Sequence, residues 1–387
     1  MIWIRLLQLY WIDAKKNLHK IRKVIVGGLK LEDSSRIILT DRQTDRQTDR
    51  QRNSNIDLTR IFACIAVVGL HTFPREHSVG TLLAYYLCGF AIPFFFMSSG
   101  YFLLNRGKIN WNYPLKKAFS IIRLVVLWNL VFDILKSVFK VYSTGKLNIE
   151  WLDIPQDIIK SFLQKGEMGH FWYLWALIII YMLLPWISQK SLEQKKLLLF
   201  SMGIVCFAVQ TVSLVMTYPL QAGVIQTFRV WTWLLYFLLG SFIEEITSCL
   251  KKKLHFNAHL IMVVVVTGIV VAVHYFVGTR VILLGGKILK AEYFYDSILD
   301  IIWVILFFSL LLRVKIYKRV NEFIRKFASL TLGIYIIHFP LRLIVVRILK
   351  VNSLTEAVCF WLIVLIISAG ITWIIGKTKI GCYLTKI

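Results

Sequence analysis

The chain has 387 residues, 57% hydrophobic, 14% aromatic and only 17% charged, with a mean hydropathy of +0.66. A soluble domain is roughly 45–50% apolar and about 25% charged, so the composition excludes an ordinary soluble protein and predicts an all-α polytopic membrane protein. The formal net charge of +25 does not point to nucleic acid, because Lys and Arg sit in short clusters between apolar runs rather than along one face or helix.

Residues 1–55 carry twelve Lys and Arg against six Asp and Glu, and the apolar patch IRLLQLYWI is too short to span a bilayer. This basic extension is expected to be disordered, with that patch as a candidate surface-lying segment. It contains TDRQTDRQTDRQ from Thr40 to Gln51 without a substitution. As protein the unit cannot bury a core. As coding sequence, ACA-GAC-AGA-CAG is the tetranucleotide GACA read in three frames, which returns to phase every four codons. A gained or lost unit would shift the frame. No Met lies between Met1 and Met97, so an ATG start that includes the first span reads through the tract. The alternative is a non-ATG start nearer Asn53.

A bilayer core takes about 20 apolar residues per helix, since lipid-exposed backbone must satisfy its own hydrogen bonds. About ten segments qualify: 56–73, 82–104, 117–140, 170–188, 196–217, 229–246, 258–277, 297–313, 327–349 and 354–376. Their continuous apolarity excludes a closed β-barrel, whose strands alternate. The connections NRGKINWNYPLKK, SQKSLEQKK, EEITSCLKKKLHF and RVKIYKRVNEFIRK are basic, as is the 377–387 tail, whereas PREHSVG, YPLQAGVIQT and KVNSLTE carry few cations. The positive-inside rule therefore places both termini in the cytoplasm. No apolar h-region with a small-residue cleavage site precedes the first span, so no cleaved signal peptide is expected. The six cysteines show no metal-ligand spacing, and no metal is expected.

The first span, NIDLTRIFACIAVVGLHTF, has Asp57 and Arg60 near its start and His71 toward its far end. Arg60 and His71 are eleven positions apart, close to three turns, so they share a helix face about 16 Å apart. Ionisable groups at membrane depth are costly and are candidate functional groups; snorkelling of Arg60 and a packing bond from His71 are the structural alternative. The second span ends IPFFFMSSGYFL, where Ser98, Ser99 and Gly100 suit close helix approach. Beyond it lie Lys116, Lys117 and Arg123, read either as topology or as a phosphate-holding cluster. Asp133 reads as a carboxylate well within a span, with Arg123 or another helix as its partner. Asp157 and Glu167 read as solvated loop charges. His170 begins HFWYLWALIIIYMLLP and reads first as part of an interfacial aromatic belt. His338 lies in SLTLGIYIIHFPL. His19, His77, His255, His259 and His274 are assigned no role.

Taken together, NIDLTRIFACIAVVGLH, IPFFFMSSGYFL, HFWYLWALIIIYMLLP and SLTLGIYIIHFPL resemble the acyltransferase-3 family of membrane O-acyltransferases, over roughly residues 55–376. An Arg, ten residues and then a His in the first span is the most specific element, and Phe-Phe-x-x-Ser-Gly-Tyr supports it. The resemblance implies transfer of an acetyl group from acetyl-CoA to a hydroxyl of a cell-surface glycan or its lipid-linked precursor, in the bacterial inner membrane. It implies no permanently bound cofactor, with acetyl-CoA as donor substrate and a glycan or lipid-linked sugar as acceptor. His71 would be the catalytic base or an acyl carrier. Arg60 would contact donor phosphate or the developing oxyanion. Ser98, Ser99, Gly100 and Tyr101 would shape the donor channel, with Lys116, Lys117 and Arg123 binding the donor, and His338 and His170 a second polar site. The layout is similar to that of the short, single-domain members: extension 1–55, membrane domain 56–376, tail 377–387. A surface-glycan enzyme would also give the TDRQ tract a role as a phase-variation switch, tested by sequencing the tract in single colonies. The competing readings are a glycan or small-molecule transporter or flippase, and transfer of another acyl group such as succinyl. No clear inverted repeat or paired broken helices of the transporter kind is visible in the sequence.

Overall fold

A computed structural model describes residues 53–76, 78–144, 154–280 and 288–385. The TDRQ tract and the extension through Arg52 lie outside the described residues, as does His77. The helices are α1 (Ser54–Thr72), α2 (Val79–Leu87), α3 (Ala91–Leu104), α4 (Asn112–Thr144), α5 (Ile154–Phe162), α6 (Trp172–Ser188) and α7 (Leu192–Val215). They continue as α8 (Val230–Lys253), α9 (Phe256–Arg280), α10 (Ile298–Leu312), α11 (Lys318–Ala328), α12 (Thr331–Val345), α13 (Leu354–Gly376) and α14 (Lys379–Thr385). Among the described residues there is no strand. The 3₁₀ turn Cys88–Phe90 joins α2 to α3, so the two together form one apolar stretch, Val79–Leu104.

Among the described residues eight helical stretches are long and apolar enough to cross a membrane, and α11 with α12, bent by 51° at their junction, would make a ninth. The tenth expected segment is α10, whose 15 residues fall short of the length of the others. Helix starts follow local chemistry. Ser78, Ser191 and Ser353 each accept from the backbone three residues on, and Thr81, Gln194 and Glu356 answer to the cap backbone, satisfying amides that the helix cannot.

The faces sort by partner. α1, α2–α3, α6 and α8 are largely buried in the bundle, while α7, α9 and α13 turn most of their apolar side chains outward, as expected where lipid rather than water is the alternative environment. Phe200, Val264 and Ile366 are each exposed by more than 60%. At the centre α1 is tied to its neighbours: Thr59 shares a hydrogen bond with Ser98 of α3, Cys64 donates to the Thr331 carbonyl, and Trp361 of α13 donates to the Ile65 carbonyl.

α3 and α8 cross in close contact. A Cβ on Gly100 would overlap the Phe237 carbonyl, and one on Gly240 would overlap that of Met97. Each glycine thus lets the opposing backbone in, the small-residue packing that membrane helices favour. Gly100→Val is expected to cost at least about 1–3 kcal/mol through overpacking, read as a lower apparent melting temperature in detergent.

Two ionic features depart from expectation. Asp133 pairs with Lys136 on its own helix at 2.8 Å, not with Arg123 or a distant helix, and Lys136 also reaches Asp157 at 3.0 Å and Glu167 at 3.4 Å. Asp157 and Glu167 are therefore tied to α4 rather than merely solvated. Burial opposes ionisation of Asp157, but the hydrogen bonds from Lys136 and Lys160 outweigh it and hold its carboxyl below the usual range. The second feature is Asp300, in the first turn of α10, buried with His274 of α9 at 2.9 Å. Asp133 is thus not the deep carboxylate of the bundle.

The 377–387 segment is helical from Lys379 to Thr385 and docks on α4, with Trp128 Nε1 donating to the Leu384 carbonyl at 2.7 Å.

Candidate active site

His71 occupies the last turn of α1 and is half-buried. Its ring lies 5.2 Å from the His338 ring and 5.1 Å from the Phe339 ring, between centroids. His338 is fully buried in α12. His170, buried in the turn Gly169–Phe171 ahead of α6, lies 5.6 Å from His338 and stacks on Phe339 at 4.9 Å with an 18° interplanar angle. Three imidazoles from three separate segments therefore gather around one phenylalanine.

Pro340 has no N–H, so the Ile336 carbonyl loses its helical donor. Neither ring nitrogen of His170 has a hydrogen-bond partner among the described residues. His338 Nδ1 lies 3.1 Å from the Ile334 carbonyl. A carbonyl only accepts, so the neutral ring carries its proton on Nδ1 and keeps a lone pair on Nε2. That Nε2 has no hydrogen-bond partner among the described residues. Tyr335 donates to the His170 carbonyl and stacks edge-on to the His170 ring at 5.4 Å, fixing the turn against α12.

His71, His170 and Phe339 line a cavity of about 750 Å³, with Trp172, Tyr85 and Phe360 on its apolar walls and Gln164, Gln226 and Asn352 among its polar groups. Its volume lies within the range of small-molecule sites, and an apolar wall with a few placed polar groups is the usual composition. Cations also face it: Arg75, Lys290, Arg342 and Lys350. Among the described residues no group of three His, Cys, Asp or Glu side chains is placed to hold a metal ion.

The other sequence-predicted residues lie elsewhere. Arg60 is near the opposite end of α1, 35% exposed, 3.7 Å from Asp57. Ser98 bonds Thr59, Ser99 donates to the Phe95 carbonyl at 2.9 Å, and Tyr101 donates to Glu244 at 2.6 Å. Lys116 is exposed, Lys117 lies 5.9 Å from the Tyr113 ring, and Arg123 lies 5.2 Å from the Tyr383 ring. None of these lines the histidine cavity. The structure thus unites His71, His170 and His338 and leaves Arg60 with the Tyr101, Lys116, Lys117 and Arg123 group toward the other end of the bundle.

Sequence reasoning missed Arg342 and Lys290. Arg342 had a readable signal: it follows His338 by four residues, hence on the same helix face. His259, assigned no role, accepts from Arg313 at Nδ1 and faces the Leu306 carbonyl with Nε2, a helix-to-helix tie.

An amino-acid racemase of Enterococcus faecalis is 36% identical over 138 residues, which cover 33% of this chain and 18% of the racemase. A serine/alanine racemase of Enterococcus gallinarum is 28% identical over 140 residues, again 33% of this chain and 18% of the relative. The chain thus spans about a fifth or less of the length of these curated relatives. No solved structure matches it. Residues 53–377 match the model of an acyltransferase domain, and on that match, which spans every helix built around the three histidines, the chain belongs to the acyltransferase-3 family.

Proposed function

We propose that the protein is a membrane O-acetyltransferase that moves an acetyl group from acetyl-CoA to a hydroxyl of a cell-surface glycan or its lipid-linked precursor. The observation that carries this reading is the gathering of His71, His170 and His338 around Phe339, with His71 and His170 facing one cavity, in a chain of this family. His71 takes the role of general base. It accepts the proton of the acceptor hydroxyl as the oxygen attacks the thioester carbonyl, the C–S bond breaks as the tetrahedral intermediate collapses, and the proton goes to the departing CoA thiolate. An imidazole suits this exchange because its ordinary pKa lies near neutrality. His338, behind His71 and Phe339, holds the base in place, and His170, stacked on Phe339, supplies polar surface for the acceptor.

The donor is assigned to the opposite end. Arg60, Lys116, Lys117 and Arg123 lie there, and clustered Arg and Lys suit the phosphates of CoA. Since Arg60 and His71 are about 16 Å apart along α1, the donor's long pantetheine arm, rather than its nucleotide, would carry the thioester to His71. With the termini in the cytoplasm, as the basic connections favour, the donor enters from inside and the acceptor meets His71 in the outer half. Structural analysis of surface glycan from cells with and without the gene tests this. Ester-linked acetyl present only with the gene is the expected result; an ester-linked succinyl group would change the donor, and unchanged glycan with altered solute flux would favour transport.

A further inference from the structure

The cations lining the histidine cavity are not accounted for by topology. Lys and Arg concentrate at the other end of the bundle, as in Lys251, Lys252 and Lys253 closing α8, where the positive-inside rule collects them. At the histidine end Arg75, Lys290, Arg342 and Lys350 face one cavity with only Glu76 and Glu292 as lining carboxylates. Glu292 is already engaged: Lys290 lies 3.7 Å from it, buried Arg229 3.8 Å, and Gln226 donates to it. Glu76 is exposed.

Arg342 is the key member. It is half-buried, and its guanidinium sits 5.4 Å from the centre of the Phe339 ring. The His71 ring lies 5.1 Å from that same ring, so guanidinium and imidazole are separated by no more than those two distances together. Among the described residues no carboxylate lies within ion-pair distance of Arg342. Beside an aromatic ring, a guanidinium can still present a planar fork of N–H donors, matched to carboxylate or phosphate oxygens. A partly desolvated cation with no carboxylate partner attracts an anion more strongly than one in bulk water.

We propose that the acceptor is anionic: a phosphate or carboxylate group on or next to the acceptor sugar is held by Arg342, in the cavity that Lys290 also lines, and this presents a neighbouring hydroxyl to His71. The proposal rests on the acyltransferase reading of the same cavity. It makes Arg342 a substrate-binding residue and predicts that charge, more than sugar identity, selects the acceptor.

The test uses the full chain in lipid nanodiscs, with labelled glucose 1-phosphate as probe and glucuronate, glucose and inorganic phosphate as competitors. Acetyl transfer from acetyl-CoA is scored in the same samples. Glucose 1-phosphate or glucuronate should bind at least tenfold more tightly than glucose, with an advantage that shrinks as salt rises. Arg342→Gln should lose about 10- to 100-fold in probe affinity, the worth of hydrogen bonds to a charged group, and Arg342→Lys should recover part of it. Which of the two anions competes better separates phosphate from carboxylate. Unchanged probe affinity in Arg342→Gln with lost turnover would overturn the proposal and move Arg342 to oxyanion stabilisation. Inorganic phosphate competing as well as glucose 1-phosphate would overturn it too, since the site would then hold a free anion. Acetyl transfer to glucose without preference for charge would sink the proposal and leave the acyltransferase reading standing. Arg342-dependent probe binding with no acetyl transfer in any sample would support the anion site and remove the acyltransferase reading.

Discussion

Replacing His71 with alanine is expected to lower acetyl transfer by about 10²- to 10⁴-fold, the range that one positioned acid–base group contributes. The side chain projects from the last turn of α1 into the cavity, and truncation leaves the helix buried on the same neighbours. Protein level and apparent melting temperature should therefore stay near wild type, which separates lost chemistry from lost fold. His338→Ala should cost less activity and more stability, because His338 is fully buried and does not line the cavity. Labelled acetyl transfer in membranes at matched protein levels checks both. Equal losses of activity for the two variants would mean that the proton moves through the pair rather than through His71.

Asp300→Ala is expected to be the most damaging change away from the cavity. His274 and Asp300 are both buried, 2.9 Å apart, with the His274 ring stacked on Phe294 at 4.1 Å. Removing one partner leaves the other buried with an unmet polar demand, which costs about 3–5 kcal/mol for an ion pair. Replacing both with apolar groups, as in His274→Phe with Asp300→Leu, removes that demand and should restore much of the loss. The measurement is the apparent melting temperature of the single and double variants in one detergent. Single variants that melt like wild type would show that the pair is idle in stability.

The apolar runs foretold the helices well, because a membrane span must be nearly continuous in hydrophobicity. Pairing between runs was less legible. His170 read first as an interfacial aromatic neighbour, since nothing in HFWYLW says that its turn packs on Tyr335 and Phe339 some 170 residues later. Gly100 read from the residues as a point of close helix approach, and its missing Cβ admits the Phe237 carbonyl; a small residue in a span says that something comes close, without saying which helix. Asp300 sits at the first turn of its helix, so by position it resembles a boundary charge, and its burial depends on α9 bringing His274. Arg60 and His71 share a face of α1, as their spacing implies, yet one helix also keeps them at opposite ends.

On the proposed function, this chain transfers an acyl group itself, using His71. The most direct measurement is a single-turnover reaction of the purified full chain with acetyl-CoA labelled in the acetyl group, using membrane glycan as acceptor, for wild type and His71→Ala side by side. The expected result is label in an alkali-labile ester on the glycan, formed in step with free CoA, by wild type alone. Label reaching the glycan equally with His71→Ala, or acetyl-CoA left intact while a solute crosses the membrane, would contradict it.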